Sequence, residues 1–211
     1  MSKLAEERIV LGMGRQLGIP TVALRYAVTF GPRQSIFNPY TGVVSIFSTR
    51  LLNDLPPLIY EDGRQTRDFV FVEDVARANL LAMDDERANG RVFNVGRGEP
   101  VTVQRLVDAL AAAWELPAAS EVSGEFRPGD VRHLVTDGTA IRALGWRPKV
   151  GLEEGLHQAV ERMRSLGRLD ECLTGALGEV RTRDRAREPR RMSDPPPAAV
   201  SGRAGMGVGV V

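Results

Sequence analysis

The sequence predicts an α/β fold built on a parallel or mixed sheet, and three observations carry that expectation. Apolar, β-branched runs alternate with segments whose apolar residues recur every three or four positions. Glycines and prolines stand at the seams between the two kinds of segment. The run at 91–95, "RVFNV", reads as a strand buried on both faces, as strands of parallel sheets are.

The elements follow in order. "SKLAEERIVLGMGRQLG" is a helix, because Ile9, Met13 and Leu17 repeat every four residues with charges between them, and Gly18 and Pro20 end it. "TVALRYAVTFG" is a largely buried strand bounded by Pro20 and by Gly31-Pro32. "PRQSIFNPYTG" is a loop, and "VVSIFSTRLLND" is a helix stopped by Pro56 and Pro57. "LIYEDG" is a short strand and turn, and the alternating "RDFVFV" is another strand. "EDVARANLLAMDD" is an amphipathic helix with Val75, Ala78, Leu81 and Ala82 on one face. After the strand at 91–95, "TVQRLVDALAAAWEL" is a helix with Thr102 as its N-cap. "SEVSGEF" is a candidate strand, and "TAIRALGW" and "LEEGLHQAVERMRSLG" are the last helices.

From about residue 176 the pattern stops. "RTRDRAREPRR" carries six arginines, and "SDPPPAAVSGRAGMGVGVV" is rich in Pro, Gly and Ala without apolar periodicity. The chain therefore divides into a folded part, 1–175, and a disordered tail, 176–211. The tail's basic run suits nucleic acid or acidic lipid, but Asp184 and Glu188 interrupt it, which favours a solvated segment.

The totals exclude several classes. A formal net charge of +1 argues against a dedicated nucleic-acid binder. No apolar run approaches the ~18 residues of a membrane span, and no signal peptide opens the chain, so the expected location is the cytoplasm. Cys172 is the sole cysteine, which rules out an intrachain disulfide and a cysteine zinc cluster. Arg25, Arg67 and Arg127 lie in or beside apolar stretches. Such arginines need partners: either a ligand diphosphate, whose oxygens match the guanidinium fork, or a structural salt bridge to Asp68 or Asp130.

The order of "SKLAEE", "LRYAVTFGPRQ", "PPLIYEDGRQTRDFVFVEDVARAN", "FNVGRGEPVTVQRLVDAL", "RPGDVRHLVTD" and "LGWRPKVGLEEGL" resembles the C-terminal half of the NAD-dependent epimerase/dehydratases. These are extended short-chain dehydrogenase/reductases of the UDP-glucose 4-epimerase type. The resemblance runs from residue 1 to about 165. It implies the C-terminal part of a Rossmann-type fold together with a smaller substrate-binding lobe, the N-terminal Rossmann half being missing. The family moves hydride between a sugar hydroxyl and tightly held NAD, with a nucleotide-sugar as substrate. Its members commonly dimerise through a four-helix interface, and the helix starting at Lys3 is one of those four.

The resemblance also assigns residues. Lys3 matches the lysine of a Tyr-x-x-x-Lys pair, which holds the nicotinamide ribose and lowers the tyrosine pKa. The tyrosine would stand before Met1, and no glycine-rich turn after a first strand is present; "GMG" at 12–14 falls inside a helix. Tyr60 matches the aromatic that packs on the uracil ring. Arg67 and Arg127 match the diphosphate clamp, and Asp130 matches the aspartate that helps fix the nucleotide. Gly42 and Val43 match a helix start whose backbone amides face a phosphate. His133 is read as satisfying local hydrogen bonds, and His157 as a surface residue. The family pattern Arg-Tyr-Phe-Asn-Val-Tyr-Gly-Pro is altered here: Ala27 replaces the phenylalanine near the nicotinamide, Val28 the asparagine that bonds substrate, and Phe30 a tyrosine.

Three readings follow. The first is an epimerase or dehydratase that begins inside its catalytic helix and is inactive by itself. The second is a non-catalytic nucleotide-sugar-binding module. The third is an interaction protein that uses the arginine-rich tail. In each, the strand at 21–29 pairs with the one at 91–95 and leaves its other edge open, so marginal solution behaviour is expected.

Overall fold

Parallel strand pairs flanked by helices make up the frame, as the alternation predicts. The computed structural model describes residues 2–35, 42–126, 129–165 and 190–191. The first helix, α1 (Ser2–Leu17), forms as expected. The stripe that marks it as a helix is not the face it buries: Ile9, Met13 and Leu17 are 61%, 50% and 60% exposed, whereas Leu11 is buried. Gly14 explains the rotation. A Cβ there would overlap the Thr21 side chain, so glycine lets the helix close onto the chain that follows.

The single strand expected at 21–29 is two. β1 (Ala23–Tyr26) runs parallel to β6 (Val92–Val95), and β2 (Val28–Phe30) runs parallel to β5 (Phe69–Phe71). The chain changes partners at Ala27, whose N–H still reaches the Val95 carbonyl at 2.9 Å while the Val28 N–H reaches the Asp68 carbonyl at 2.9 Å. "RDFVFV" divides for the same reason. β4 (Thr66–Arg67) joins a three-stranded sheet between β7 (Val101–Thr102) and β10 (His133–Leu134), and Asp68 separates it from β5. β6 alternates buried Phe93 and Val95 with half-buried Val92 and Asn94, so it is not covered on both faces as expected. Among the described strands β1 pairs only with β6, which leaves its other edge open.

The helices pack on both sides. α2 (Val43–Leu52), α4 (Val103–Trp114) and α6 (Leu152–Arg164) enclose a core containing Val44, Phe47, Leu106, Leu110, Leu156 and Val160 against Phe30, Phe69 and Phe71. Phe30 meets Phe69 and Phe71 edge-on, at centroid distances of 6.1 and 5.8 Å. A second core joins α3 (Val72–Asp84) and α5 (Thr139–Ala143) to β6, through Val75, Ala78, Ala82, Phe93, Ile141 and Trp146. Thr102 caps α4 as predicted, its Oγ1 accepting the Arg105 N–H at 3.1 Å.

Short strands extend the frame. β3 (Leu58–Ile59) pairs parallel with β8 (Glu121–Val122), and β9 (Glu125–Phe126) follows. Within the expected tail, Arg190–Arg191 form a two-residue strand, β11, antiparallel to β9; this pair departs from the expectation of no regular structure. The rest of 176–211 lies outside the described residues. No helix among the described residues is long and apolar enough to cross a membrane.

Candidate functional site

The carboxyl ends of parallel strands are where open α/β sheets take ligands. Here the ends of β1 and β6 meet the start of β5, and one carboxylate ties them together. Asp68 is buried, and its Oδ1 accepts the Arg97 N–H at 3.0 Å. Its Oδ2 accepts the Gly98 N–H at 3.0 Å, the Thr136 N–H at 3.2 Å and the Thr136 hydroxyl. Burial pushes this carboxyl above its ordinary pKa, and the backbone donors of Gly98, Thr136 and Arg97 partly oppose that rise. Gly96 fits beneath because a side chain there would overlap Thr136 and Asp68 and press on Ala27.

Asp68 is therefore a junction of backbone segments, and of the two readings open for the neighbouring arginines the salt bridge to Asp68 does not form. Arg25 instead pairs with Glu7 of α1 at 2.7 Å. Arg67 is half-buried and donates from Nη1 to two carbonyls, Thr66 at 2.9 Å and Arg132 at 3.0 Å. It makes no ion pair with a described carboxylate, and its Nε and Nη2 make no hydrogen bond within the described residues.

Arg67 has β10 for a neighbour. β10 lies alongside β4, with His133 opposite Thr66 and Leu134 opposite Arg67. That pairing brings Arg132 and Leu134 next to Arg67. Asp130 itself is exposed, and Arg127 lies outside the described residues. His133 Nδ1 lies 3.0 Å from Thr66 Oγ1, a cross-strand hydrogen bond between residues distant in sequence. His157 is exposed on α6.

Tyr60 enters from the other side. β3 delivers it into a turn in which Glu61 (φ 56°) and Gly63 (φ 76°) take left-handed conformations. The Gln65 side-chain amide donates to the Tyr60 carbonyl at 2.8 Å, and the Glu61 N–H reaches the Glu125 carbonyl at 2.6 Å. Arg132 closes the turn: Nη1 reaches Glu61 Oε2 at 2.5 Å and Nη2 reaches Asp62 Oδ2 at 2.6 Å. The guanidinium holds the Asp62 carboxyl below the usual carboxylate range, and Asp62 in turn raises Arg132. Nothing in the sequence pattern singled out Arg132; only the fold sets it opposite two carboxylates from a distant turn.

Gly42 is the N-cap of α2, and it and Val43 are half-buried. Two buried polar atoms close to this helix start have no hydrogen-bond partner among the described residues, Gln34 Oε1 and Ser45 Oγ. Gln34 Nε2 stands 3.0 Å from where a Cβ on Gly42 would be. On the cofactor side, Lys3 is 89% exposed and bonded to Glu6 at 2.7 Å, and Ala27 is half-buried. Gly12 and Gly14 lie inside α1, so "GMG" forms no phosphate-binding turn. Val28 offers no polar group, and Phe30 belongs to the core. A separate cleft of about 370 Å³, lined by Pro20, Leu24, Tyr26, Asn79 and Met83 among others, contains none of these residues.

Parallel strand pairs flanked by helices, with strand ends meeting at a buried polar junction, place the fold in the α/β class. Residues 1–96 match the model of the NAD dependent epimerase/dehydratase family. The chain belongs to that family. It is 36% identical to the dTDP-L-rhamnose 4-epimerase of Burkholderia thailandensis, over 74% of this chain and 43% of that protein. It matches the crystal structure of the Thermotoga maritima UDP-glucose 4-epimerase with UDP-glucose at 40% identity and TM-score 0.71, covering 79% of this chain and 53% of that one. It matches the Thermus thermophilus UDP-glucose 4-epimerase in complex with NAD at 38% identity and TM-score 0.68, covering 77% and 52%. The chain thus spans about half the length of the relatives it matches.

Proposed function

We propose that this chain is the nucleotide-sugar-binding lobe of an NAD-dependent epimerase or dehydratase of the UDP-glucose 4-epimerase kind, an enzyme that transfers hydride at a sugar hydroxyl. The state of Arg67 carries the proposal. A half-buried guanidinium anchored through Nη1 on two carbonyls, with no described carboxylate as partner, is prepared for an anion. Carbonyl anchors fix the fork without neutralising it, so its charge remains for a diphosphate.

The surroundings agree in kind. Tyr60 stands at the head of a braced turn, where its ring can cover a base. Asp130 precedes β10, the strand that pairs with β4 at Arg67. The backbone amides at Gly42 and Val43, with the unpartnered Ser45 hydroxyl, suit a second contact to a phosphate, and Gln34 Oε1 can accept from a ligand hydroxyl.

The residues present fit NAD less well. NAD, when bound, accepts the hydride. The cofactor-side residues of this chain are an exposed Lys3 already paired with Glu6 and the methyl group of Ala27. The 211 residues contain no Tyr-x-x-x-Lys pair and no Gly-x-x-Gly-x-x-Gly turn after the first strand. The chain by itself is therefore read as binding without catalysing.

Calorimetric titration of the full chain with UDP, UDP-glucose and NAD tests this. Binding of UDP and UDP-glucose, lost in Arg67→Ala, is the expected result. No binding of either nucleotide at millimolar concentration would sink the proposal.

A further inference from the structure

We infer that Arg132 is a positioning residue of the nucleotide site: it neutralises Glu61 and Asp62 and so keeps the Tyr60 turn closed and the surroundings of Arg67 fit for an anion. The inference rests on the nucleotide-sugar reading above and adds a residue which that reading does not require.

Arg132 acts at both of its ends. Its guanidinium bridges two carboxylates of the turn that follows Tyr60, at 2.5 and 2.6 Å. Its carbonyl accepts from Thr66 N–H at 3.1 Å and from Arg67 Nη1 at 3.0 Å. One residue therefore fixes the turn that carries the aromatic and the arginine that would meet the phosphates. The turn and β10 are 70 or so positions apart in sequence, so no local element holds them together.

Charge supplies the second part. Adjacent carboxylates beside an anion site repel the ligand unless a cation faces them. Glu61 is the less exposed of the two, its side chain 16% accessible, so water screens it poorly. Glu61 also occupies a left-handed backbone conformation (φ 56°) that favours glycine. A glycine there would relax the turn and lose the contact to Arg132.

The test is titration of the full chain with UDP at low and high ionic strength, with thermal melts in parallel. Arg132→Ala is expected to weaken UDP binding about tenfold at low salt, and less at high salt where the exposed carboxylate is screened. Adding Glu61→Gln and Asp62→Asn to that variant is expected to restore most of the affinity. Should Arg132→Ala fail to fold, the triple substitution Arg132→Gln, Glu61→Gln, Asp62→Asn is compared with Arg132→Gln alone. Equal affinity of wild type and Arg132→Ala, while Arg67→Ala loses binding, overturns the inference and leaves the nucleotide reading standing. So does a fall in melting temperature with unchanged affinity, or a triple variant that recovers nothing. An unaltered chain that binds no UDP removes the nucleotide reading and this inference with it.

Discussion

Asp68 accepts the backbone N–H of Gly98 at 3.0 Å across 30 residues of sequence. That bond and its companions from Arg97 and Thr136 join three chain segments on one buried carboxylate.

Asp68 gives stability a pH dependence of predictable sign. Burial raises its pKa in the folded chain, so the folded state keeps this proton to higher pH than the unfolded state does. Stability from this group is full below the unfolded value of about pH 4 and declines as pH rises through the folded pKa. Asp68→Asn removes that slope. It also leaves four donors facing one oxygen in place of two, at a cost of about 2 kcal/mol. Melting curves of both proteins across pH check this: the difference between them narrows as pH rises. A constant difference refutes it.

Gly155 should reject even alanine. Alanine in a helix interior normally gains about 1 kcal/mol over glycine. Here a Cβ would stand 2.8 Å from Phe30 Cζ and 2.8 Å from Phe71 Cδ2, both in the main core. Overpacking costs about 1–3 kcal/mol, so Gly155→Ala is expected to lower the denaturation midpoint. Urea titration reads it, and a raised midpoint contradicts the packing seen here.

Arg67 should not be replaceable by lysine. Its Nη1 is occupied by carbonyls, so anion binding depends on the remaining nitrogens of the same rigid fork. Arg67→Lys is expected to lose UDP affinity about as far as Arg67→Ala, on the order of ten- to hundredfold. Near-wild-type affinity in the lysine variant shows that charge alone suffices.

α1 should promote self-association. Ile9, Met13 and Leu17 form an exposed stripe at four-residue spacing, and β1, which has one edge unpaired among the described strands, contacts the same helix. Sedimentation of the full chain is expected to show concentration-dependent association, reduced when Ile9 and Met13 are both changed to glutamate. A monomer at all concentrations disproves it.

Most of the frame was legible in the chain because its signals are local. Helix periodicity placed α1, α2, α3, α4 and α6, Thr102 announced its own capping bond, and the order of short motifs indicated the family. Strand boundaries were less legible. "TVALRYAVTFG" and "RDFVFV" are each uniform in propensity, and the breaks at Ala27 and Asp68 arise because neighbouring residues pair with different strands.

The sequence by itself marked out the candidate site residues: Arg67, Tyr60 and Asp130 lie in motifs that can be read without coordinates. Only the tertiary structure decided how they are held. It anchored Arg67 on backbone carbonyls, made Asp68 a junction for distant amides, and set Arg132 against Glu61 and Asp62. Those contacts join segments dozens of residues apart, and their geometry depends on strand register and on which polar groups burial leaves without water. Neither is written in any local stretch of the chain.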